Sequence, residues 1–146
     1  LWEQMYAPSE VPYALDQTKE LLEKVNHGAE LPIYLTIDVG HACCQNYPHK
    51  PEDRNPYNWL RRFAHLSPVV HLQQTNDRES CHWPFTKEFN RRGIIQAHKV
   101  IDALQTSDAK ETLLVLEIFF SLVENDKQVL DEMKESVDYW RKYVKE

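Results

Sequence analysis

The stretch Ile33-Tyr-Leu-Thr-Ile-Asp38-Val-Gly-His41 constrains the fold more than any other part of the chain. Five of its first seven residues are β-branched or aromatic, and no charge interrupts the run before Asp38. Pro32 before it and Gly40 within its end bound a segment of strand length, although periodicity alone does not separate a buried strand from a buried helical turn. A strand buried on both faces, as in a parallel sheet, reads as such a continuous apolar run. Asp38 and His41 then stand at its C-terminal end, where barrels and open α/β folds place their chemistry. Taken alone, the stretch fits equally well an Asp38 that caps a turn and a His41 on a surface loop.

The rest of the composition narrows the class. A chain of 146 residues suits a single domain with a real core, and 42% hydrophobic with 27% charged residues is ordinary for a globular protein. A net charge of −6 argues against a nucleic-acid partner, which needs a basic footprint. No apolar run approaches membrane-spanning length, so no membrane partner is expected. Cys43, Cys44 and Cys81 are odd in number and two are adjacent, unlike a secreted disulfide framework. A reducing, cytoplasmic location is the expectation.

In chain order, Leu15, Leu21, Leu22 and Val25 fall near helical spacing between Tyr13 and Val25, and Gly28 supplies a stop. After the strand ending at Asp38 comes a loop with Cys43, Cys44, Tyr47, Pro48, His49 and Pro51, rich in side chains able to line a pocket. Asn55-Pro56 predicts a helix start, asparagine as cap and proline at the first position, with Trp59, Leu60 and Phe63 as the apolar stripe. Val69 to Gln74 predicts a second strand that turns polar at its end. Thr75 to Asn90 predicts a long loop, and such loops are usually functional. A helix from about Gly93 carries Ile94, Ala97, Ile101 and Leu104. Thr112 to Phe120 predicts a third apolar strand interrupted only by Glu117. The last helix starts near Asn125-Asp126 and carries Val129, Leu130, Met133, Val137, Trp140 and Val144. His27, His49, His65 and His98 are expected on the surface, and Cys43 and Cys44 as small loop residues.

Strands alternating with helices over long connections indicate an α/β fold with parallel strands. Counting Leu1-Trp2 as the tail of a strand, Glu3, Asp38, His71 and Glu117 each lie at or near a strand's C-terminal end. Each is the one residue in its apolar run able to bind a hard or borderline cation. A buried carboxylate without a cation, a proton or a hydrogen-bonding partner is costly, so four such placements in register point to a metal site. Three carboxylates and one imidazole suit Mn²⁺ or Mg²⁺, and Zn²⁺ or Co²⁺ also fit.

The order Glu3, Asp38-x-x-His41, His71, Glu117 resembles the sugar isomerase and epimerase superfamily of xylose-isomerase-like (β/α)8 TIM barrels, with the nearest likeness to ketose 3-epimerases. The run His71-Leu-Gln-Gln-Thr75, with His82-Trp-Pro-Phe-Thr86 and Asn90, is similar to the branch acting on tetrulose phosphates, including erythrulose-phosphate epimerases. The resemblance covers nearly the whole chain, 1–146, as strand–helix units 5–8: the C-terminal half of a barrel. It implies Glu3, Asp38, His71 and Glu117 as metal ligands, with Glu3 and Glu117 also the acid/base pair. It further implies Glu10, His41 and Arg78 as substrate contacts. His82 and Arg78 are candidates to meet a phosphate, with a solvated loop as the alternative. Trp2, Tyr6, Trp83 and Phe85 either wall off water or pack.

The chemistry explains the requirement. Epimerising a ketose at C3 removes a proton beside a carbonyl and returns one to the opposite face. A divalent cation stabilises the cis-enediolate, and two carboxylates exchange base and acid roles. A whole barrel needs eight strands and roughly 250 residues. The chain begins at Leu1 without an initiator methionine, which fits a piece of a longer protein. The expected partners are a small sugar or sugar phosphate, together with an N-terminal half-barrel or a second copy of the chain in a homo-oligomer, because open edges invite association. An aldose–ketose isomerase of the same superfamily and a non-catalytic half-barrel binding module remain as alternative readings.

Overall fold

The structure is a computed structural model that describes residues 1–45, 47 and 50–144. The elements are β1 (Trp2–Glu3), α1 (Leu15–Asn26), β2 (Leu35–Asp38), α2 (Pro56–Phe63), β3 (Val69–Leu72), α3 (Lys87–Arg92), α4 (Ala97–Gln105), β4 (Leu113–Leu116) and α5 (Asp126–Trp140). The four strands form one parallel sheet in the order β1-β2-β3-β4. No helix of the described residues is long and apolar enough to cross a membrane.

Register follows from the period-2 alternation of a strand. Glu3 pairs with Thr36, Asp38 with His71, and His71 with Val115, so Glu3, Asp38, His71 and Glu117 fall on one face. The opposite face carries Leu35, Ile37, Val39, Val70 and Leu72, all buried beneath the helices. There Trp59, Leu60 and Phe63 of α2, Val100 and Ala103 of α4, and Trp140 of α5 complete the core. Phe85 is buried in the same layer, with its ring edge-on to Trp140 at 5.1 Å, so it packs rather than walls off water.

Several boundaries differ from the sequence expectation, each for a local reason. Ile33 and Tyr34 precede β2 and stay largely exposed, because pairing starts only where Leu35 meets Trp2. Gln73 and Gln74 lie beyond β3 yet are buried. The expected long loop contains α3, which Thr86 opens by accepting the Phe89 N–H on its side chain. Gly93 closes α3, so the next helix begins at Ala97 and Ile94 stays outside it. β4 stops at Leu116, leaving Phe119 exposed, and Val144 lies past the end of α5. Cys43 and Cys44 are buried, and burial pushes the Cys43 thiol up. His27, His65 and His98 are exposed, while Pro48 and His49 fall outside the described residues.

Helix ends follow the sequence where a capping side chain is at hand. Asn55 and Asn125 accept N–H groups at the starts of α2 and α5, and Gly28 follows α1 at φ 71°. Ala14 offers α1 no such cap. Asp53, buried and 38 residues away, supplies it by accepting the Leu15 N–H at 2.8 Å. The same residue's backbone carbonyl accepts from Trp59 Nε1 at 2.8 Å, so α1 and α2 are tied at one point. Asp53→Ala leaves a buried donor unpaired and should lower the unfolding free energy by about 1–3 kcal/mol in urea titration. No change in the urea midpoint would remove Asp53 from this role.

Candidate metal centre at the strand ends

At the C-terminal ends of the four strands, Glu3, Asp38, His71 and Glu117 each offer one ligand atom, and these atoms lie within 4.8 Å of one another. His71 Nδ1 stands 3.0 Å from Glu3 Oε1 and 3.2 Å from Glu117 Oε2. Its N–H is aligned on Glu3. Glu117 Oε2 is therefore buried with no hydrogen-bond donor among the described residues, despite the nearby nitrogen. Asp38 is fully buried, and its Oδ1 accepts from the N–H groups of Gly40 and His41 at 2.7 and 2.8 Å.

Electrostatics make the cluster tense. Burial, and then the facing Asp38 carboxylate, push the Glu117 carboxyl up from 4.5 to about 7. His71 is raised as well, chiefly by its hydrogen bond to Glu3 and then by the charges of Glu117, Glu3 and Asp38, against the opposing effect of burial. Two carboxylates that face each other have only acceptors between them, so a proton or a cation must stand there. The orphaned Glu117 oxygen and the hard, oxygen-rich donor set fit a divalent cation.

The other sequence candidates are placed less uniformly. His41 is buried beside the cluster, with Nδ1 2.9 Å from the Gln4 carbonyl, so that nitrogen carries the proton and Nε2 is left as an acceptor. Tyr6 packs on His41 at 5.0 Å between ring centroids. Burial first, then the charges of Cys44, Tyr47, Glu10 and Asp38, hold the Tyr6 hydroxyl above its ordinary value. Glu10 itself is exposed on the loop after β1. His82 stands over the cluster at φ 51°, its Nδ1 3.6 Å from Glu117 Oε2 and its ring stacked on Phe119 at 4.0 Å. Burial lowers its basicity. Arg78 is exposed and joins its loop through the backbone, donating to Asn76 Oδ1 and accepting from Cys44 Sγ. The four-residue cluster does not include it.

Sequence reasoning missed Gln73. It is fully buried, and its amide touches both oxygens of Asp38 at 2.9 and 3.1 Å. Its signals were the polar end of an otherwise apolar strand and its place in the run His71-Leu-Gln-Gln-Thr75, neither of which assigned it a role.

No family model matches the chain. The chain is 28% identical over 145 residues to the D-erythrulose 1-phosphate 3-epimerase of Brucella abortus strain 2308, over 98% of this chain and 46% of that protein. A crystal structure of a Rhodospirillum rubrum protein, described provisionally as a xylose isomerase, superposes with a TM-score of 0.82 at 21% identity. That match covers 98% of this chain and 46% of the other. The fold is half of a xylose-isomerase-like (β/α)8 barrel. Sequence similarity and fold both agree with the resemblance read from the motifs. The half-barrel spans about half the length of each of these two relatives.

The raised groups make a pH test of the metal-free half-barrel. Glu117 binds its proton more tightly folded than unfolded, so its contribution is full below pH 4.5 and is lost as pH rises through about 7. His71, also raised, acts in the same direction. In the presence of chelator, the melting temperature should fall as pH rises through this window, and Glu117→Gln should flatten the slope. A melting temperature that climbs across the same window would contradict the cluster geometry.

Proposed function

We propose that this half-barrel carries the metal and acid/base residues of a ketose 3-epimerase acting on a short ketose phosphate, a tetrulose phosphate. The observation that carries the reading is the convergence of Glu3, Asp38, His71 and Glu117 at four consecutive strand ends. The similarity to D-erythrulose 1-phosphate 3-epimerase supports the substrate class. The four residues would hold Mn²⁺ or Mg²⁺, with Zn²⁺ and Co²⁺ as further fits. When bound, the cation polarises the substrate carbonyl and stabilises the charge that develops beside it.

The chain's own groups supply the rest. Glu3 and Glu117 approach the same His71 nitrogen from neighbouring positions, and each is only part-buried, so each carboxylate is open to a ligand. One takes the C3 proton while the other returns a proton to the opposite face. A carboxyl poised near 7, as Glu117 is, serves as acid or base at neutral pH. His41 Nε2, with its partner nitrogen committed to Gln4, accepts a substrate hydroxyl. Glu10 and Arg78 reach the substrate from the rim loops, and Arg78 and His82 are the side chains offered to a phosphate.

Glu3→Gln and Glu117→Gln should each lower epimer turnover by about 10²–10⁴-fold, because an amide accepts no proton. Catalysis in deuterated water should place deuterium at C3. Deuterium at C1 with an aldose product would establish the isomerase instead, and full activity after either substitution would remove that glutamate from the mechanism. Chelation should abolish activity and added Mn²⁺ restore it.

The reading includes completion of the barrel. β1 and β4 are open edges, and Leu113, Phe119, Leu122, Val123 and Leu130 present apolar surface along the β4 side. An N-terminal half-barrel or a second copy covers it. The chain on its own should sediment as a dimer or as aggregates, and a stable compact monomer would overturn this part.

A further inference from the structure

Gln73 ties the end of β3 to the Asp38 carboxylate at the end of β2 and to His82 in the segment that follows. Its Nε2 donates to Asp38 Oδ1 at 2.9 Å and Oδ2 at 3.1 Å, and lies 3.2 Å from His82 Nε2. Its Oε1 accepts the His82 backbone N–H at 2.7 Å and the Ser80 hydroxyl at 3.0 Å. These two donors fix which end of the amide is oxygen, so the nitrogen must face Asp38 and His82. An amide nitrogen cannot accept, so the Gln73 contact calls for an unprotonated His82 Nε2, and the Ser80 hydroxyl, also 3.2 Å from that nitrogen, is a donor shared between it and Gln73 Oε1. His82 Nδ1 faces the Glu117 carbonyl at 3.3 Å, and a carbonyl can only accept, so Nδ1 carries the proton. The Gln73 amide then donates in both directions, to Asp38 on one side and to His82 on the other, and His82 passes the sequence on by donating to the Glu117 backbone.

The surrounding structure holds this amide in place. A Cβ built on Gly40 would come within 2.2 Å of Gln73 Cδ, so the amide lies flat against a backbone that only glycine leaves bare. His82 adopts φ 51°, a costly conformation for a non-glycine residue. It is held there by Gln73 on its N–H, by Phe119 N–H on its carbonyl at 3.0 Å, and by the Gln74–Trp83 bridge beside it. Asp38 Oδ1 receives three donors, whereas Oδ2 has only Gln73 at 3.1 Å. That difference leaves Oδ2 with a lone pair for the cluster.

We propose that Gln73 is a positioning residue that sets the Asp38 carboxylate for metal binding and locks His82 in the Nδ1–H tautomer beside Glu117. The inference rests on the metal reading of the cluster, but its tautomer component stands without metal or activity. Gln73 is fully buried, so it acts only through Asp38 and His82, and its removal weakens metal binding and turnover through them.

The first measurement needs no variant. In the full-length metal-free protein, ¹⁵N NMR of the His82 ring should show a single Nδ1–H tautomer; an Nε2–H ring, or a mixture, overturns the proposal. Next, Gln73→Met should weaken Mn²⁺ binding and lower kcat by about tenfold or more, the weight of one hydrogen bond to a charged group, and should loosen the single His82 tautomer. Gln73→Glu places a carboxylate against Asp38 and should do at least as much harm, while moving the His82 proton to Nε2. Mn²⁺ affinity and kcat within about twofold of the unaltered protein in Gln73→Met would overturn the proposal. Should that variant not fold, Gln73→Asn withdraws the amide from His82 and leaves Ser80 in place; loosening of the His82 tautomer supports the lock, and an unchanged tautomer counts against it. If the unaltered protein binds no Mn²⁺, the metal reading fails, and the His82 tautomer alone decides whether Gln73 is a lock.

Discussion

Burial of the Asp38 carboxylate is the constraint on which the rest of the site depends. A fully buried carboxylate is tolerable only when donors replace the water it has lost. Two donors come from the chain's own turn, the N–H groups of Gly40 and His41, so the residues after β2 must fold back at once. The third comes from Gln73 and forces the end of β3 to lie against Gly40. Strand pairing, the turn after β2 and the path of the 75–86 segment therefore have one common cause. The helices under the other face supply the stability that lets this face hold so many acidic groups.

Much of this was legible in the sequence because strand geometry is strictly periodic. Once β2 was read as a buried strand, the position of a carboxylate at its end, and of similar residues at the ends of its neighbours, gave the cluster without knowledge of contacts. Register did the remainder: Asp38 pairs with His71, and a shift of one residue would have turned either side chain under the helices. Caps were legible for the same local reason, as with Asn55 and Asn125.

What escaped the sequence depends on partners far apart in the chain. The cap of α1 comes from Asp53, and no local pattern announces it. Gln73 stood in the sequence as the polar end of a strand and a member of the His71–Thr75 run without a role of its own, because its meaning lies in Gly40, Ser80 and His82 together. The segment before α3 was read as open loop, since the bridge between Gln74 and Trp83 and the left-handed His82 have no signature in composition. Arg78 was singled out by the resemblance alone, as an arginine that follows the metal-site histidine, and the fold leaves it exposed, tied to the loop by its main chain.

Phe119 belongs to two surfaces at once. One side of its ring lies flat on His82, 4.0 Å away, while the residue remains 65% exposed on the open β4 side. His82 in turn leans on Glu117. Whatever packs against that exposed ring reaches the acidic cluster through only two contacts. On the proposed reading, a wall that closes the barrel there would press on the same histidine that faces Glu117.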